Sequence, residues 1–201
     1  KTTVPSNDST SFSVSISPTT GVIGATTGTI SGSGTNATFT VLPGTYTVTE
    51  TPVGGWDETG SVNCIGVVVV VAGDGTTQTQ TCTFTNTKQG SIVVQKTTVP
   101  SGSTVSFPVA VTAGVSGSVV GANTGSVTDA IDATFTVRPG GSFSVSETVP
   151  AGWAQTSAEG CANIVVNAGE TKTCVFVNRL PTLTIVKLSI GDTGTFTFAV
   201  T

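Results

Sequence analysis

Residues Ala37–Trp56 read ATFTVLPGTYTVTETPVGGW, and Ala133–Trp153 read ATFTVRPGGSFSVSETVPAGW, with one additional glycine in the second stretch. In both stretches apolar and polar residues alternate on either side of a Pro-Gly pair. Alternation with a period of two is typical of β-strands, and Pro-Gly is typical of the turn that joins them. The same strand–turn–strand unit therefore occurs twice in the chain, and each copy ends at a tryptophan.

Three further segments repeat in the same order around this unit, which indicates a tandem array. KTTVPS occurs twice, CTFTN matches CVFVN, and GSIVVQK matches TLTIVK. These segments are Lys1–Ser6 with Lys96–Ser101, Cys82–Asn86 with Cys174–Asn178, and Gly90–Lys96 with Thr182–Lys187. We predict one β-sandwich repeat over residues 1–88, a second over residues 90–180, and the opening strands of a third over residues 182–201, because each period has the size of a small sandwich.

The composition favours an all-β fold and excludes several classes of function. Of the 201 residues, 37% are hydrophobic, so the chain can bury a core, and its polarity comes from Thr, Ser and Gly, which suit strands and turns. Seven basic residues without a cluster argue against nucleic acid as a partner. The longest aliphatic run, Val67–Ala72, is too short for membrane insertion. Histidine is absent, so no nucleophile–His pair exists, and we predict neither enzymatic activity nor a cofactor.

Four cysteines in a chain of net charge −4 indicate an oxidising compartment, and hence an extracellular or cell-surface location. The absence of Cys-x-x-Cys spacing and of histidine argues against a metal site. Four cysteines allow three disulfide pairings. One pair falls at matching places in each repeat, which selects Cys64–Cys82 and Cys161–Cys174. Each bond closes a loop short enough to stabilise the fold by ~3 kcal/mol in the chain-entropy model.

Three predicted strands of each repeat carry an apolar row that ends in one polar residue. Side chains alternate across a strand, so Ile92 and Val94 share the face on which Lys96 lies. The strand that follows the Pro-Gly turn carries the same kind of apolar row and ends in a glutamate. The strand that begins at the second cysteine of each repeat carries such a row and ends in an asparagine. The polar residues are Lys1, Glu50 and Asn86 in the first repeat, Lys96, Glu147 and Asn178 in the second, and Lys187 in the third.

Burial of an unpaired lysine or glutamate is costly, so we expect the lysine, glutamate and asparagine of one repeat to lie together. Desolvation favours the neutral forms of an amine and of a carboxyl group. A neutral amine is a nucleophile, and a carboxylic acid can polarise the asparagine carbonyl and shuttle protons. The expected product is a Lys–Asn amide cross-link with loss of ammonia. A hydrogen-bonded cluster without a covalent bond is the alternative.

The first-strand lysine, the stretch TYTVTETPVGGW and the last-strand asparagine together resemble Cna protein B-type domains. These are prealbumin-like repeats of Gram-positive pilins and adhesins, including SpaA-type pilin domains. The resemblance implies tandem prealbumin-like, Ig-like β-sandwiches with an intramolecular Lys–Asn isopeptide bond that a glutamate assists. By position, Lys96 would bond Asn178 with Glu147 assisting, Lys1 would bond Asn86 with Glu50 assisting, and Lys187 would belong to a third domain with partners beyond Thr201.

The predicted function is mechanical: the shaft of a cell-surface filament, a pilus or an adhesin stalk, with copies of itself or neighbouring repeats as partners. The alternative is an adhesin module that binds glycans or host proteins. Its mark would be an exposed aromatic cluster or a long loop, for which Gly21–Asn36 and Ala113–Asp132 are candidates. Trp56 and Trp153 could bind sugar, but core or lid packing is the favoured interpretation.

The array is cut inside a repeat at both ends, and two explanations stay open. The chain is either an excerpt of a longer array, or Thr182–Lys187 of one molecule supplies the first strand that the next molecule lacks. The excerpt is favoured, because Leu188–Thr201 also duplicates the start of the first repeat. Asn7 and Asn36 lie in glycosylation sequons. Val67–Val71 reads as a strand buried on both faces, or as an edge strand covered by a neighbour.

Overall fold

The computed structural model describes residues 1–71, 78–188, 190–191 and 194–199, and none of these residues lies in a helix. The strands follow one another as short alternating segments bounded by turns, as the period-two pattern predicts. They are β1 Thr2–Val4, β2 Ser11–Ser17, β3 Val22–Ile23, β4 Thr27–Ser31, β5 Thr40–Val41, β6 Gly44–Glu50, β7 Trp56–Val62, β8 Val67–Val69, β9 Thr83–Lys88, β10 Gly90–Val99, β11 Phe107–Ala113, β12 Ser118–Val120, β13 Thr124–Val127, β14 Ala133–Arg138, β15 Ser142–Glu147, β16 Ala154–Glu159, β17 Ile164–Val165 and β18 Thr171–Arg179.

The second repeat is a sandwich of two sheets. One sheet has five strands in the order β12-β14-β10-β18-β16, and the other has four in the order β13-β11-β15-β17. Their inward residues form one apolar core, because alternate side chains of each strand point to the same face. The fully buried members of this core include Ile92, Val94, Phe107, Phe143 and Phe176. The prediction of an all-β sandwich is therefore confirmed.

The first repeat has a similar arrangement, with shorter first and last strands. A three-stranded sheet in the order β1-β9-β7 lies against a four-stranded sheet in the order β4-β2-β6-β8, and β3 and β5 form a separate pair. Its core contains Phe12, Val14, Ile30, Trp56 and Phe84. All five sheets in the described part of the chain take their strands from one repeat only, since β9 ends at Lys88 and β10 begins at Gly90.

The first and last strands of each repeat are parallel neighbours. In the second repeat β10 pairs with β18 from Ser91 opposite Thr171 to Val99 opposite Arg179. In the first repeat β1 pairs with β9 in the equivalent register, with Thr3 opposite Asn86. The chain therefore enters and leaves each sandwich along two strands that are hydrogen-bonded to each other.

The joint between the repeats is held at Asp57 on β7. The side-chain amide of Gln89, the residue between β9 and β10, donates a hydrogen bond to Asp57 at 3.1 Å. Arg138 of the second repeat donates to the other oxygen of Asp57 at 3.0 Å. No described residue after Arg179 lies in a strand, so the opening strands of a third repeat stay a prediction.

Val67–Val71 does not form a strand that is buried on both faces, so that prediction is wrong. β8 is the edge strand of its sheet and pairs with β6. Val68 is 57% exposed, because its side chain lies on the outer face of the sheet, where none of the described strands covers it. The edge position agrees with the alternative interpretation of Val67–Val71 as an edge strand. That a neighbour covers this edge stays a prediction.

No helix that could cross a membrane is found among the described residues.

Candidate functional site

The register of the first and last strands places a lysine and an asparagine side by side in each repeat. Thr98 lies opposite Asn178, and Lys96 lies two residues before Thr98 on the same inward face of β10. In the first repeat Thr3 lies opposite Asn86, which puts Lys1 in the equivalent place. Because residues two apart share a face, the lysine and asparagine side chains both point into the sandwich.

The glutamate of each cluster comes from the facing sheet. Glu147 is the last residue of β15 and lies opposite Val109 of β11. Glu50 is the last residue of β6 and lies opposite Val14 of β2. Each glutamate therefore reaches across the core from one sheet to the lysine and asparagine of the other. The structure brings together all six residues that the sequence predicted for the two clusters.

In the repeat 1 cluster, formed by Lys1, Glu50 and Asn86, the three side chains contact each other pairwise. The Lys1 Nζ lies 2.5 Å from Glu50 Oε2 and 2.5 Å from Asn86 Oδ1. The Asn86 Nδ2 donates to Glu50 Oε1 at 2.6 Å. The side chains of Lys1 and Glu50 are 0% and 2% exposed, so the cluster is sealed from solvent.

In the repeat 2 cluster, formed by Lys96, Glu147 and Asn178, the contacts are less complete. The Lys96 Nζ lies 3.0 Å from Glu147 Oε1 without hydrogen-bond geometry, and Asn178 Nδ2 donates to Glu147 Oε2 at 2.7 Å. Within the described part of the chain, Lys96 Nζ and Asn178 Oδ1 have no hydrogen-bond partner although both are buried. A buried polar atom without a hydrogen bond costs about 1–3 kcal/mol, so the ion pair with Glu147 only partly offsets the burial of the Lys96 amine.

A phenylalanine ring lies over each lysine, and a tryptophan packs against that phenylalanine. The Lys1 Nζ lies 3.6 Å from the centre of the Phe12 ring, and the Lys96 Nζ lies 4.3 Å from that of Phe107. Each phenylalanine packs edge-on against a tryptophan, with ring centres 5.4 Å apart in both repeats. These aromatic rings exclude water, and they also hold the ammonium form by cation–π attraction.

The two phenylalanines were missed by the sequence reasoning. The signal was present, since SFSVSI at Ser11–Ile16 and SFPVAV at Ser106–Val111 place the phenylalanine at the same point of each repeat. The interpretation of the two tryptophans as packing residues is supported, because Trp56 is buried and Trp153 packs against the core of its repeat. Trp153 is half-buried and also lines a surface pocket with Leu180 and Pro181, so a sugar site at this ring stays a prediction.

Burial lowers the pKa of Lys1 and of Lys96 below the ordinary lysine value. Loss of hydration is the largest cause, and it outweighs the opposing attraction of the neighbouring Glu50 or Glu147 carboxyl group. A lowered pKa raises the fraction of neutral amine at a given pH. In each repeat the carboxyl group contacts both the lysine amine and the asparagine amide, and in the first repeat the amine also contacts the amide oxygen.

The glutamates contact a different atom of the asparagine from the one expected. The sequence reasoning placed the carboxyl group beside the asparagine carbonyl, whereas both Glu50 and Glu147 accept a hydrogen bond from the amide nitrogen. The register sets this contact, because the glutamate comes from the facing sheet and meets the NH₂ side of the amide. A carboxyl group in this position lies next to the nitrogen that would leave in an amide exchange.

The disulfide pairing predicted from the repeat is confirmed. Cys64 is bonded to Cys82, and Cys161 is bonded to Cys174. Cys174 lies on β18 four residues before Asn178, on the same face of the strand. The last strand of the second repeat is therefore fixed by the disulfide at Cys174, and it reaches the cluster two inward-facing positions further on, at Asn178.

The remaining predicted site residues lie apart from the clusters. Lys187 donates to the carbonyl of Leu188 at 3.2 Å and lies over the ring of Phe196. Asn7 and Asn36 are both exposed, as a glycan acceptor must be, and their modification stays a prediction. Among the described residues, no group of three His, Cys, Asp or Glu side chains is arranged to hold a metal ion.

Comparison with known proteins finds similarity at the level of solved structures. No family model matches the chain, and no curated protein matches it. The chain is similar to the major pilin protein (T-13) of Streptococcus pyogenes, with 18% identity and a TM-score of 0.29 over 86% of this chain and 90% of the pilin. A second major pilin structure from Streptococcus pyogenes gives 15% identity and a TM-score of 0.30 over 89% of this chain and 95% of the pilin.

At these identities and TM-scores the similarity carries no functional conclusion by itself. The class that the chain's own residues define is an all-β tandem sandwich with a buried Lys–Glu–Asn cluster in each repeat. A function for it has to follow from those clusters and from the strands that they join.

Proposed function

We propose that the chain is a structural extracellular repeat protein that forms the shaft of a cell-surface filament, pilus or adhesin stalk. One observation carries the proposal: the same buried Lys–Glu–Asn cluster joins the first and last strands in both repeats. The two disulfides suit an oxidising extracellular location. The partners in such a filament are copies of the chain or neighbouring repeats, joined end to end or by exchange of strands.

The clusters support formation of a Lys–Asn isopeptide bond in each repeat. The neutral Nζ of Lys96 attacks Cγ of Asn178, so the Nζ–Cγ bond forms and the Cγ–Nδ2 bond breaks. Glu147 takes one proton from Nζ and delivers one to Nδ2, which leaves as ammonia. The carboxyl group ends as it began, and the protein is its own substrate for a single turnover. Lys1, Glu50 and Asn86 take the same roles in the first repeat.

The position of this bond suits a protein that bears tension. Because β10 and β18 are parallel neighbours, pulling on the two ends of the repeat shears one strand along the other. A bond between Lys96 and Asn178 carries the force directly and leaves residues 97–177 unloaded. The Cys161–Cys174 disulfide lies inside this protected loop, so it stabilises the fold without carrying the load.

Single-molecule pulling between tags at the two ends of the chain tests the proposal. In the wild-type chain we expect no unfolding step from the second repeat, because the covalent bond bypasses its folded part. In the Asn178→Ala variant we expect a new step of roughly 230 Å, from the extension of residues 97–177 at about 3.4 Å per residue, less the loop that the Cys161–Cys174 disulfide keeps closed. The first repeat, which keeps its own cluster, is the internal control. A wild-type second repeat that unfolds like the variant would contradict the proposal.

A further inference from the structure

The strand that carries Lys96 loses one of its two neighbours just before that residue. β10 pairs with β14 only as far as Val94, opposite Ala133, whereas its pairing with β18 continues to Val99. The part of β10 from Gln95 onward is therefore paired with a strand on one side only. Because this part of the strand sets where the Lys96 amine lies, the contacts on its other side bear on the proposed reaction.

The turn between β13 and β14, residues 128–132, covers this open side of β10. A bridge between Thr128 and Ile131 closes the turn, with backbone hydrogen bonds of 3.0 and 3.2 Å between the two residues. At the end of the turn, Asp132 accepts a hydrogen bond from the side-chain amide of Gln95 at 3.0 Å. The turn is thus a closed unit that lies against the edge of the strand.

A second aspartate of this turn, Asp129, holds the backbone of the strand itself. One of its carboxylate oxygens accepts from the N–H of Thr98 at 2.5 Å, and the other accepts from the N–H of Gly102 at 2.5 Å. Hydrogen bonds to an ionised acceptor are stronger than those between neutral groups. The bonds from Gly102 and then Thr98 hold the pKa of Asp129 below its ordinary value. Thr98 is buried and lies opposite Asn178, so Asp129 fixes β10 directly beside the cluster.

The first repeat has no carboxyl group in the equivalent turn. Its residues 32–36 read GSGTN, where the second repeat has its aspartates. A side chain at Gly32 would collide with Thr3, the counterpart of Thr98, so in this repeat the backbone of the turn packs directly against the strand. The Asp129 contact is therefore a feature of the second repeat, and the first repeat is a control within the same chain.

We propose that Asp129 is a positioning residue for the bond between Lys96 and Asn178. By holding the backbone at Thr98, two residues after Lys96, it keeps the lysine amine beside Glu147 and in reach of the asparagine side chain. A misplacement of about 1 Å can slow a reaction between positioned groups by about 100-fold. The role rests on the isopeptide bond proposed above, and Asp129 acts on it through the strand without contacting the reacting atoms.

The charge of Asp129 has a second effect that can be measured separately. Burial lowers the pKa of Lys96, and the attraction of Glu147 and then of Asp129 opposes the effect of burial. Replacement of Asp129 by asparagine removes part of this attraction and should lower the Lys96 pKa further. A residue that only stabilised the fold would leave the Lys96 pKa unchanged.

The test compares Asp129→Asn with Asp132→Asn, which removes the same charge from the same turn. Asp129→Asn leaves one acceptor oxygen for two backbone N–H groups, whereas Asp132→Asn still leaves an acceptor for Gln95. Each chain is unfolded in urea, shown to have its full sequence mass, and folded by dilution. Samples are then quenched in acid, reduced and digested, and the cross-linked peptide of each repeat is quantified by mass spectrometry.

We expect Asp129→Asn to form the Lys96–Asn178 bond about 10- to 100-fold more slowly than the wild type, and Asp132→Asn to match the wild type. The Lys1–Asn86 bond should form at the same rate in all three chains. A wild type that forms neither bond would overturn the isopeptide proposal together with this one. A wild type that forms the Lys96–Asn178 bond no faster than Asp129→Asn does would overturn this proposal alone.

Titration of Lys96 in Asn178→Ala, where the amine stays free, gives the second measurement. The Lys96 signal in carbon NMR is identified by its absence from Asn178→Ala/Lys96→Met. Addition of Asp129→Asn should lower the titration midpoint of this signal, and addition of Asp132→Asn should not. Asp129→Glu keeps the charge, so it should slow the bond less than Asp129→Asn and leave the midpoint in place. A slow Asp129→Asn chain with an unchanged Lys96 midpoint would mean a role in folding only and would overturn the proposal.

Discussion

Lys96 is a lysine whose side chain is sealed inside an apolar core, with a phenylalanine ring above it and one carboxyl group beside it. Burial of this kind favours the neutral amine. The amine nitrogen and the Asn178 carbonyl oxygen both lack hydrogen-bond partners among the described residues. Conversion of the amine and the amide into one secondary amide replaces two incompletely hydrogen-bonded buried groups by a single neutral linkage, which favours the proposed reaction.

The lowered pKa of Lys96 predicts a pH-dependent stability in a chain that cannot form the bond. In Asn178→Ala the folded state binds fewer protons at Lys96 than the unfolded state does, because only the folded pKa is lowered. The free energy of unfolding should therefore rise with pH, from the lowered folded pKa up to the ordinary lysine value of about 10.4. Below the folded pKa, Lys96 is protonated in both states, so this pH dependence should level off.

Chemical denaturation of Asn178→Ala between pH 7 and pH 11 measures this rise. The double variant Asn178→Ala/Lys96→Met is the matched control, since it keeps every other titrating group of the chain. We expect the difference in unfolding free energy between the two variants to shift in favour of Asn178→Ala as the pH increases. A difference that does not change with pH would show that Lys96 is not desolvated in the folded state.

The residues of the clusters could be predicted from the sequence, but their contacts could not. Each of Lys96, Glu147 and Asn178 ends an apolar row of period two, and the repeat shows the same row twice. The contact between Glu147 and the amide nitrogen of Asn178 depends on how two sheets pack, and the sequence of neither strand contains that information. The covering phenylalanines lie on a fourth strand of each repeat: the sequence shows that they recur, but not that they contact the lysines.

At the scale of one element, β10 is the strand that connects the core to the cluster. It has ten residues with strict alternation of inward and outward side chains, and its inward row runs from Gly90 through Ile92 and Val94 to Lys96 and Thr98. A side chain at Gly90 would collide with Val166 and with backbone oxygens, so the strand can start there only with glycine. The position of Gly90 thus fixes where the strand begins, six residues before Lys96.

Two isosteric substitutions on β10 separate burial from strand propensity. Val94→Thr places a hydroxyl group in the core, where Val94 is 0% exposed, while Val93→Thr makes the same change on the half-buried outer face. We expect Val94→Thr to lower the unfolding free energy by about 1–3 kcal/mol and Val93→Thr to lower it by less than about 1 kcal/mol. Urea denaturation measures both, and equal effects would mean that the assigned face is wrong.

Strand existence was predictable wherever the alternation was long, and strand length was not. Ala37–Leu42 and Ala133–Arg138 have nearly the same sequence, yet the first forms the two-residue β5 and the second the six-residue β14. The difference lies in the neighbour, because β14 pairs with β10 and β5 has no such partner among the described strands. Long-range pairing of this kind cannot be read from a local pattern.

At the scale of the whole molecule, the two Lys–Asn bonds would leave only a short path under tension. Force would enter at Lys1, cross to Asn86, follow the chain to Lys96 and cross again to Asn178. Most of each repeat would lie outside this path, including both disulfides. The contacts of Asp57 with Gln89 and Arg138 lie beside the stretch between the two bonds and brace it.

Removal of a disulfide should therefore change thermodynamic stability without changing the mechanical path. We expect Cys161→Ser/Cys174→Ser to lower the unfolding free energy by up to ~3 kcal/mol, the value for a loop of this size in the chain-entropy model. In pulling experiments the same variant should show no new extension step. A new step would mean that the disulfide, and not the Lys–Asn bond, carries the load.

The central claim is that each repeat is closed by a covalent bond between its first and last strands, and intact mass after full reduction tests it most directly. The account predicts a reduced wild-type chain about 34 Da lighter than its sequence mass, from the loss of two ammonia molecules, and a deficit of about 17 Da in Glu147→Gln. The exposed-site control Glu159→Gln should match the wild type. A reduced wild-type chain with the full sequence mass would contradict the account.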